Sequence, residues 1–269
     1  MFEDFIKKLI EENIINIKNT DTGGKEPVKI NIMLEGGAFN GSYMLGALTY
    51  IKELERRNVI KVEYIAASSV GAIIGLLYLV DKLDFGVIIY DIIYKEYGTN
   101  CHTAQGVNKA IKALSKLLEV KDLQNINGRL HINYFNIDIG EEVVANTYKD
   151  MEELRKIINR TTYVPIITDG KCSYKNKYLD GGIPQPFKNN ENKTYIITLI
   201  PLNITKIKTA FSVKDEKSNI PRVFEGITEA HKVFSGKESS WLLSCITEWK
   251  LHFILLYRLK KLLFLLIFN

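Results

Sequence analysis

Cysteine and histidine are scarce in this chain, with three of the first and four of the second in 269 residues. Cys101, Cys172 and Cys245 are odd in number, and no two stand at C-x-x-C spacing. This excludes a disulfide framework and a cysteine-ligated zinc site, and it suits a reducing compartment. Lysine and arginine form no block interleaved with aromatics. The net charge of +5 is spread along the chain, so nucleic acid is not the expected partner. Apolar runs free of charge are short. The opening stretch MFEDFIKKLIEEN carries Glu3, Asp4, Lys7 and Lys8 among its first apolar residues and reads as an amphipathic helix, not a signal peptide. The closing stretch WKLHFILLYRLKKLLFLLIF is interrupted by Lys250, Arg258, Lys260 and Lys261. A spanning helix would hold three of these cations near its middle, at roughly 2.5–3.5 kcal/mol each, which excludes a transmembrane segment. No internal repeat is present.

What remains suits a folded α/β domain. At 46% hydrophobic and 25% charged residues, the chain can build a sizeable core. Apolar strand-like runs at residues 28–34 and 61–68 are each followed by a helical pattern, over 42–57 and 70–82. Such alternation predicts parallel strands joined by right-handed crossovers. Helix-rich sequence follows from 84 to 122. Strand-like segments return at 130–137, 143–146, 174–179 and 194–199, with a helix over 151–160. The reading divides the chain into an N-terminal helix and breaker-rich linker (1–27), a main domain (28–240) and an apolar, basic tail (241–269).

The glycine cluster after the first strand, Glu35-Gly-Gly-Ala-Phe-Asn-Gly-Ser42, presents backbone N–H groups to an anion. Gly36 and Gly41 have the spacing of a nucleotide P-loop, but the lysine that reaches the phosphates is missing. The dinucleotide pattern fails because residue 38 is Ala. The turn after the second strand, Ala66-Ala-Ser-Ser-Val-Gly-Ala72, matches the nucleophile elbow G-x-S-x-G with Ala67 in the first glycine's place. Alone the match is weak, because strand–helix turns with Ser and Gly are common. The pairing is stronger: the two turns end consecutive strands and lie side by side at the carboxyl edge of a parallel sheet. There the Gly36–Ala38 N–H groups could hold a transient oxyanion on a carbonyl attacked by Ser69, rather than a standing phosphate. None of His102, His131, His231 and His252 lies in a glycine turn, and each reads as structural or surface. The better base is Asp180, delivered by a short apolar strand into Gly181-Gly182; by itself this reads as an ordinary Asp-Gly turn.

Taken together, Gly36-Gly-Ala-Phe-Asn-Gly41, Ala67-Ser-Ser-Val-Gly71 and Asp180-Gly-Gly182 resemble the patatin-like phospholipase family. Its pattern runs G-G-G-x-[R/K]-G, then G-x-S-x-G, then D-G-[G/A]. Residues 136–144 and 161–167 resemble its mid-chain strand–turn–strand and the segment ahead of its aspartate turn. The resemblance implies a three-layer α/β/α sandwich with a mostly parallel central sheet. It implies lipid acyl-ester hydrolysis of the phospholipase A type by a Ser–Asp dyad, with no metal and no organic cofactor. By position, Ser69 is the nucleophile, Asp180 the base, and Gly36, Gly37 and Ala38 line the oxyanion loop. Gly41, Gly71 and Gly181 stand at supporting motif positions. A carboxylate is a weaker base than imidazole, so close Asp–Ser contact is expected to matter more than pKa matching. Three positions depart from the pattern. Ala38 replaces the third glycine and is strained if φ there is positive. Asn40 replaces the Arg or Lys and removes a positive charge. Ala67 replaces the elbow's first glycine. A catalytically impaired lipid-binding or interaction protein on the same scaffold is the alternative function.

The expected partners are a phospholipid or other lipid ester and an anionic membrane surface, and the expected location is cytoplasmic or peripheral on membranes. At about 100° per residue, the tail's four cations fall on one arc of roughly 160°, with Leu, Ile and Phe elsewhere. Two readings stay open for it. It is a last core helix with a snorkelling basic edge, or it lies in an anionic membrane interface.

Overall fold

The computed structural model describes residues 2–11, 26–100, 102–187, 192–198, 218–236, 239–248 and 250–268, with residues 210, 213 and 216. Cys101, most of the expected linker and the second half of the expected N-terminal helix lie outside the described residues. Strands β1 (Val28–Leu34), β2 (Ile60–Ala67), β3 (Leu130–Asn136), β4 (Glu141–Ala145), β5 (Tyr178–Asp180), β6 (Lys193–Ile197) and β7 (Leu243–Ile246) form one sheet in the order β4-β3-β2-β1-β6-β7, with β5 also on β3. β1, β2, β3 and β6 run parallel in its centre, and β4, β5 and β7 are antiparallel additions.

Among the described residues, the helices are α1 (Phe2–Glu11), α2 (Gly41–Arg56), α3 (Val70–Leu79), α4 (Phe85–Asn100), α5 (Ala104–Leu117), α6 (Val120–Ile126), α7 (Met151–Thr161), α8 (Ile220–Phe234) and α9 (Leu251–Phe268). Their boundaries follow local chemistry. α2 ends at Asn58, which takes the left-handed conformation that stops helices (φ 57°). α7 opens on Asp150, whose side chain accepts from Glu153 N–H at 2.8 Å, while Glu153 reaches back to Lys149 N–H at 2.8 Å. α3 is buried almost all round, so its sequence VGAIIGLLYL has no polar face.

Alternation along the strands makes two faces. Ile32, Leu34, Ile65, Ala67, Leu130, Ile132 and Ile197 join the main core with α2, α3 and α8. Met33, Ala66 and Ile196 face the other way and are covered by Ile183 and by Tyr257 of α9. The third layer is therefore thin on this side. α2 and α8 cross at two glycines: a Cβ on Gly46 would lie 1.9 Å from Val223 O, and one on Gly226 would lie 2.0 Å from Tyr43 O.

The segments set apart by the sequence reading are built into this body. Ile6 and Ile10 of α1 are in the main core, and Phe2 and Phe5 meet Phe224 of α8 edge-on, with centroids 5.2 and 5.1 Å apart. β7 lies beyond the boundary drawn at 240, yet it pairs with β6 along Thr194–Ile197. The strand expected over 174–179 is shorter. Lys175 and Asn176 turn left-handed (φ 53° and 56°), so only Tyr178–Asp180 pair with β3.

Candidate active site

The site forms where three chain turns meet. In the register of β1 and β2, Leu34 pairs with Ala67, so the glycine loop and the elbow leave the sheet at the same level. Ser68 N–H donates back to Leu34 O at 3.1 Å. Along β3, Ile132 pairs with Ala67 of β2 and Tyr134 pairs with Asp180 of β5. β2 and β5 thus run toward each other along the same edge of β3, and their ends bring Ser69 and Asp180 together.

Ser69 sits on a strained turn, with φ 54° and ψ −133°. Such a conformation costs a side-chain-bearing residue roughly 1–3 kcal/mol and persists only where the surroundings hold it. The hold is visible. Ser69 N–H donates to Thr161 Oγ1 at 2.9 Å, and Thr161 Oγ1 donates to Asn133 O at 2.7 Å. Small neighbours are required here. A Cβ on Gly71 would lie 2.6 Å from Leu34 O, and one on Gly36 would lie 2.8 Å from Ser69 Cβ.

Asp180 is 4% exposed and Ser69 is 6% exposed. The Ser69 hydroxyl lies beside the Asp180 carboxylate and favours its ionised form. Gly182 N–H donates to Asp180 Oδ1 at 2.6 Å. Burial pushes the Asp180 carboxyl up to about 7, and the neighbouring Ser69 hydroxyl and Gly182 N–H only partly oppose it. Desolvation thus moves the Asp180 carboxyl from the ordinary carboxylate range toward that of an imidazole. The histidines stand elsewhere. His231 Nδ1 meets Tyr50 Oη at 3.1 Å, His131 packs edge-on against Tyr64 and Phe187, and His252 is exposed on α9.

The glycine loop also needs one correction. Gly36 N–H donates to Gly182 O at 2.8 Å, so it is committed to holding the aspartate turn and is not free for an oxyanion. Ser68 Oγ donates to the same oxygen at 2.7 Å. The N–H groups of Gly37 and Ala38 have no hydrogen-bond partner among the described residues. Ala38 has φ 47°, so the strain foreseen for an alanine at this position is present. Asn40 is fully buried and its N–H closes the turn onto Gly37 O at 2.9 Å. Gly41 packs against Val70, and Ala67 is buried at the end of β2. A Cβ on Gly181 would lie 2.4 Å from Asn133 O, which explains the glycine there.

Beside Ser69 opens an apolar cavity of about 80 Å³, lined by Ala38, Phe39, Leu45, Ile73, Ile74, Ile89, Ile93, Val107 and Val164 among others. That is room for several water-sized groups, and its walls offer few polar partners.

Three contributors carried no short motif and were missed in the sequence. Asn133, in the middle of β3, donates to Ile183 O at 3.0 Å and to Gly181 O at 3.3 Å, and so shapes the aspartate turn. Its amide also donates to Glu142, which pairs with Lys261 of α9. Thr161 lies inside the segment 161–167 that the resemblance singled out, without a role. Arg222 of α8 reaches Asn40.

A mixed sheet with parallel central strands, flanked by helices and carrying a serine on a strained strand–helix turn at its carboxyl edge, defines an α/β protein. A family model described as patatin-like phospholipase matches residues 32–196, and the chain belongs to that family. No curated protein sequence matches it. Among solved structures, the crystal structure of VipD from Legionella pneumophila is similar at 13% identity and a TM-score of 0.37, covering 59% of this chain and 47% of that one. The matched region is thus about half the length of that chain.

Proposed function

We propose that this protein is a lipid acyl hydrolase of the phospholipase A type, acting through Ser69 and Asp180. The observation that carries the reading is that strand pairing brings the buried Ser69 and Asp180 together, with Ser69 at the mouth of an apolar cavity. Asp180 takes the Ser69 proton as Oγ attacks the ester carbonyl carbon. The carbonyl oxygen becomes an oxyanion within reach of the free Gly37 and Ala38 N–H groups. Asp180 then gives the proton to the departing alcohol, and water, activated by the same carboxylate, hydrolyses the acyl-enzyme. Burial of Asp180 favours this cycle near neutral pH, because a base is most effective when its pKa lies near the working pH. The cavity suits the apolar acyl chain.

We further propose that α9 docks the protein on an anionic membrane. Leu251, Leu255, Leu256, Leu259 and Leu262 are exposed on it, beside the exposed Lys250 and Arg258, while Tyr257 is buried against the sheet. One side of the helix thus packs on the core, and the exposed leucines and cations of the other side support the membrane reading. Among the described residues, no helix is long and apolar enough to cross a membrane.

A second reading, a lipid-binding protein without turnover, draws on the strained Ala38 and on the commitment of Gly36 N–H. Labelling with a fluorophosphonate, read by intact mass, separates the two. One adduct that Ser69→Ala abolishes supports the hydrolase. A folded wild type that takes no adduct overturns it in favour of the second reading.

A further inference from the structure

Asn40 stands where the family pattern has Arg or Lys, yet a cation lies beside it. Arg222, in the first turn of α8 and 182 residues along the chain, donates from Nη1 to Asn40 Oδ1 at 2.8 Å. Asn40 is 0% exposed and Arg222 is 4% exposed. The same guanidinium donates from Nε to Glu216 Oε1 at 2.6 Å, and Glu216 Oε2 accepts from the Tyr90 hydroxyl at 2.6 Å. Its Cζ lies over the Tyr43 ring, 5.5 Å from the centroid. A buried guanidinium is costly unless its donors are satisfied and its charge is paired. Here the charge is paired with Glu216, and Nε and Nη1 both donate to residues around the glycine loop.

The consequence for the loop follows from the peptide chain. Asn40 N–H donates to Gly37 O at 2.9 Å. Gly37 C=O and Ala38 N–H are the two ends of one amide group, so a hydrogen bond on the oxygen strengthens the N–H as a donor. The left-handed Ala38 beside it persists only if its neighbours are held. α8 is well placed to hold them, because its approach to α2 is set by the contacts at Gly46 and Gly226.

We infer that Arg222 is the positioning residue of the oxyanion turn. By clamping Asn40 it keeps the strained Gly37–Ala38 peptide in the shape that offers its N–H. It does from α8 what a basic residue inside the loop would do from position 40. This rests on the hydrolase reading above.

The test compares wild type, Arg222→Gln and Arg222→Lys on a short-chain p-nitrophenyl ester and on a fluorophosphonate, with melting temperatures measured alongside. Loss of the clamp is expected to lower kcat and the labelling rate by about tenfold, less than the hundredfold or more lost with an oxyanion donor itself, with KM within about twofold. Arg222→Lys is expected to recover part of the loss. A merely structural role would lower the melting temperature and leave kcat of the folded fraction unchanged, and that result overturns the inference. If Arg222→Gln does not fold, Asn40→Ala serves instead. It removes the acceptor and leaves the Arg222–Glu216 pair, and an unchanged kcat there also overturns the inference. An unlabelled wild type overturns the hydrolase reading and this inference with it. A labelled wild type with an equally reactive Arg222→Gln overturns this inference alone.

Discussion

Ser69 and Asp180 meet because β2 and β5 share one edge of β3 from opposite directions, with Ala67 opposite Ile132 and Asp180 opposite Tyr134. The two side chains are thus brought together by strand pairing. The Asp180 turn is closed by Asn133, and Ser69 N–H is held by Thr161.

The pH dependence follows from the burial of Asp180. Its carboxyl, pushed up to about 7, must be ionised to take the Ser69 proton. On a soluble ester, kcat/KM is expected to rise with pH through an apparent pKa of about 7 and to level off above it. A profile that is flat from pH 5 to 9 on a stably folded protein would remove Asp180 as the base.

The same burial makes Asp180 costly to stability. The folded chain keeps a proton that the unfolded chain, with a pKa of about 3.9, has already lost, so stability falls as pH rises through roughly 4 to 7. Asp180→Asn keeps an acceptor for Gly182 N–H and removes the charge. It is expected to abolish turnover and to raise the melting temperature, more at pH 8 than at pH 4. An equal change at both pH values would count against an ionised, desolvated carboxyl.

Ala38→Gly is expected to stabilise the fold. Leaving φ 47° costs glycine nothing, whereas alanine pays about 1–2 kcal/mol there. Part of that gain is offset by the freer unfolded glycine chain, leaving about 0.5–1 kcal/mol in denaturant unfolding. The labelling rate should hold or rise.

The helix crossing gives a paired comparison. Gly226→Ala would press a methyl group to 2.0 Å from Tyr43 O, and overpacking of this kind costs about 1–3 kcal/mol or more. Gly98→Ala, at an exposed position of α4 with nothing within 4 Å, should stabilise by up to about 1 kcal/mol. Equal effects at the two sites would show that the close crossing is not real.

On the tail, Leu255→Glu with Leu259→Glu is expected to weaken binding to vesicles of phosphatidylcholine and phosphatidylserine, while kcat/KM on a soluble ester and the melting temperature stay unchanged. Both leucines are more than half exposed. Deletion of α9 is expected to destabilise the protein, because it uncovers the sheet face that Tyr257 fills. Unaltered vesicle binding by the double variant would rule out α9 as the docking surface.

The local chemistry was legible in the residues. Apolar runs ending in small-residue turns gave β1, β2 and the helices after them, since strand, turn and helix preferences act over a few positions. The order of the glycine loop, the serine elbow and the aspartate turn named Ser69 and Asp180 as a pair. Three-dimensional contacts decided the rest. Which N–H groups stay free depends on Gly182 O, which lies 146 positions beyond Gly36 and claims its donor. The basicity of Asp180 depends on the water that its neighbours exclude. The cation beside Asn40 comes from α8, and the tail's two roles come from the sheet face beneath Tyr257. Hydrogen bonding and desolvation act between groups brought together by folding, and residue spacing along the chain carries no record of them.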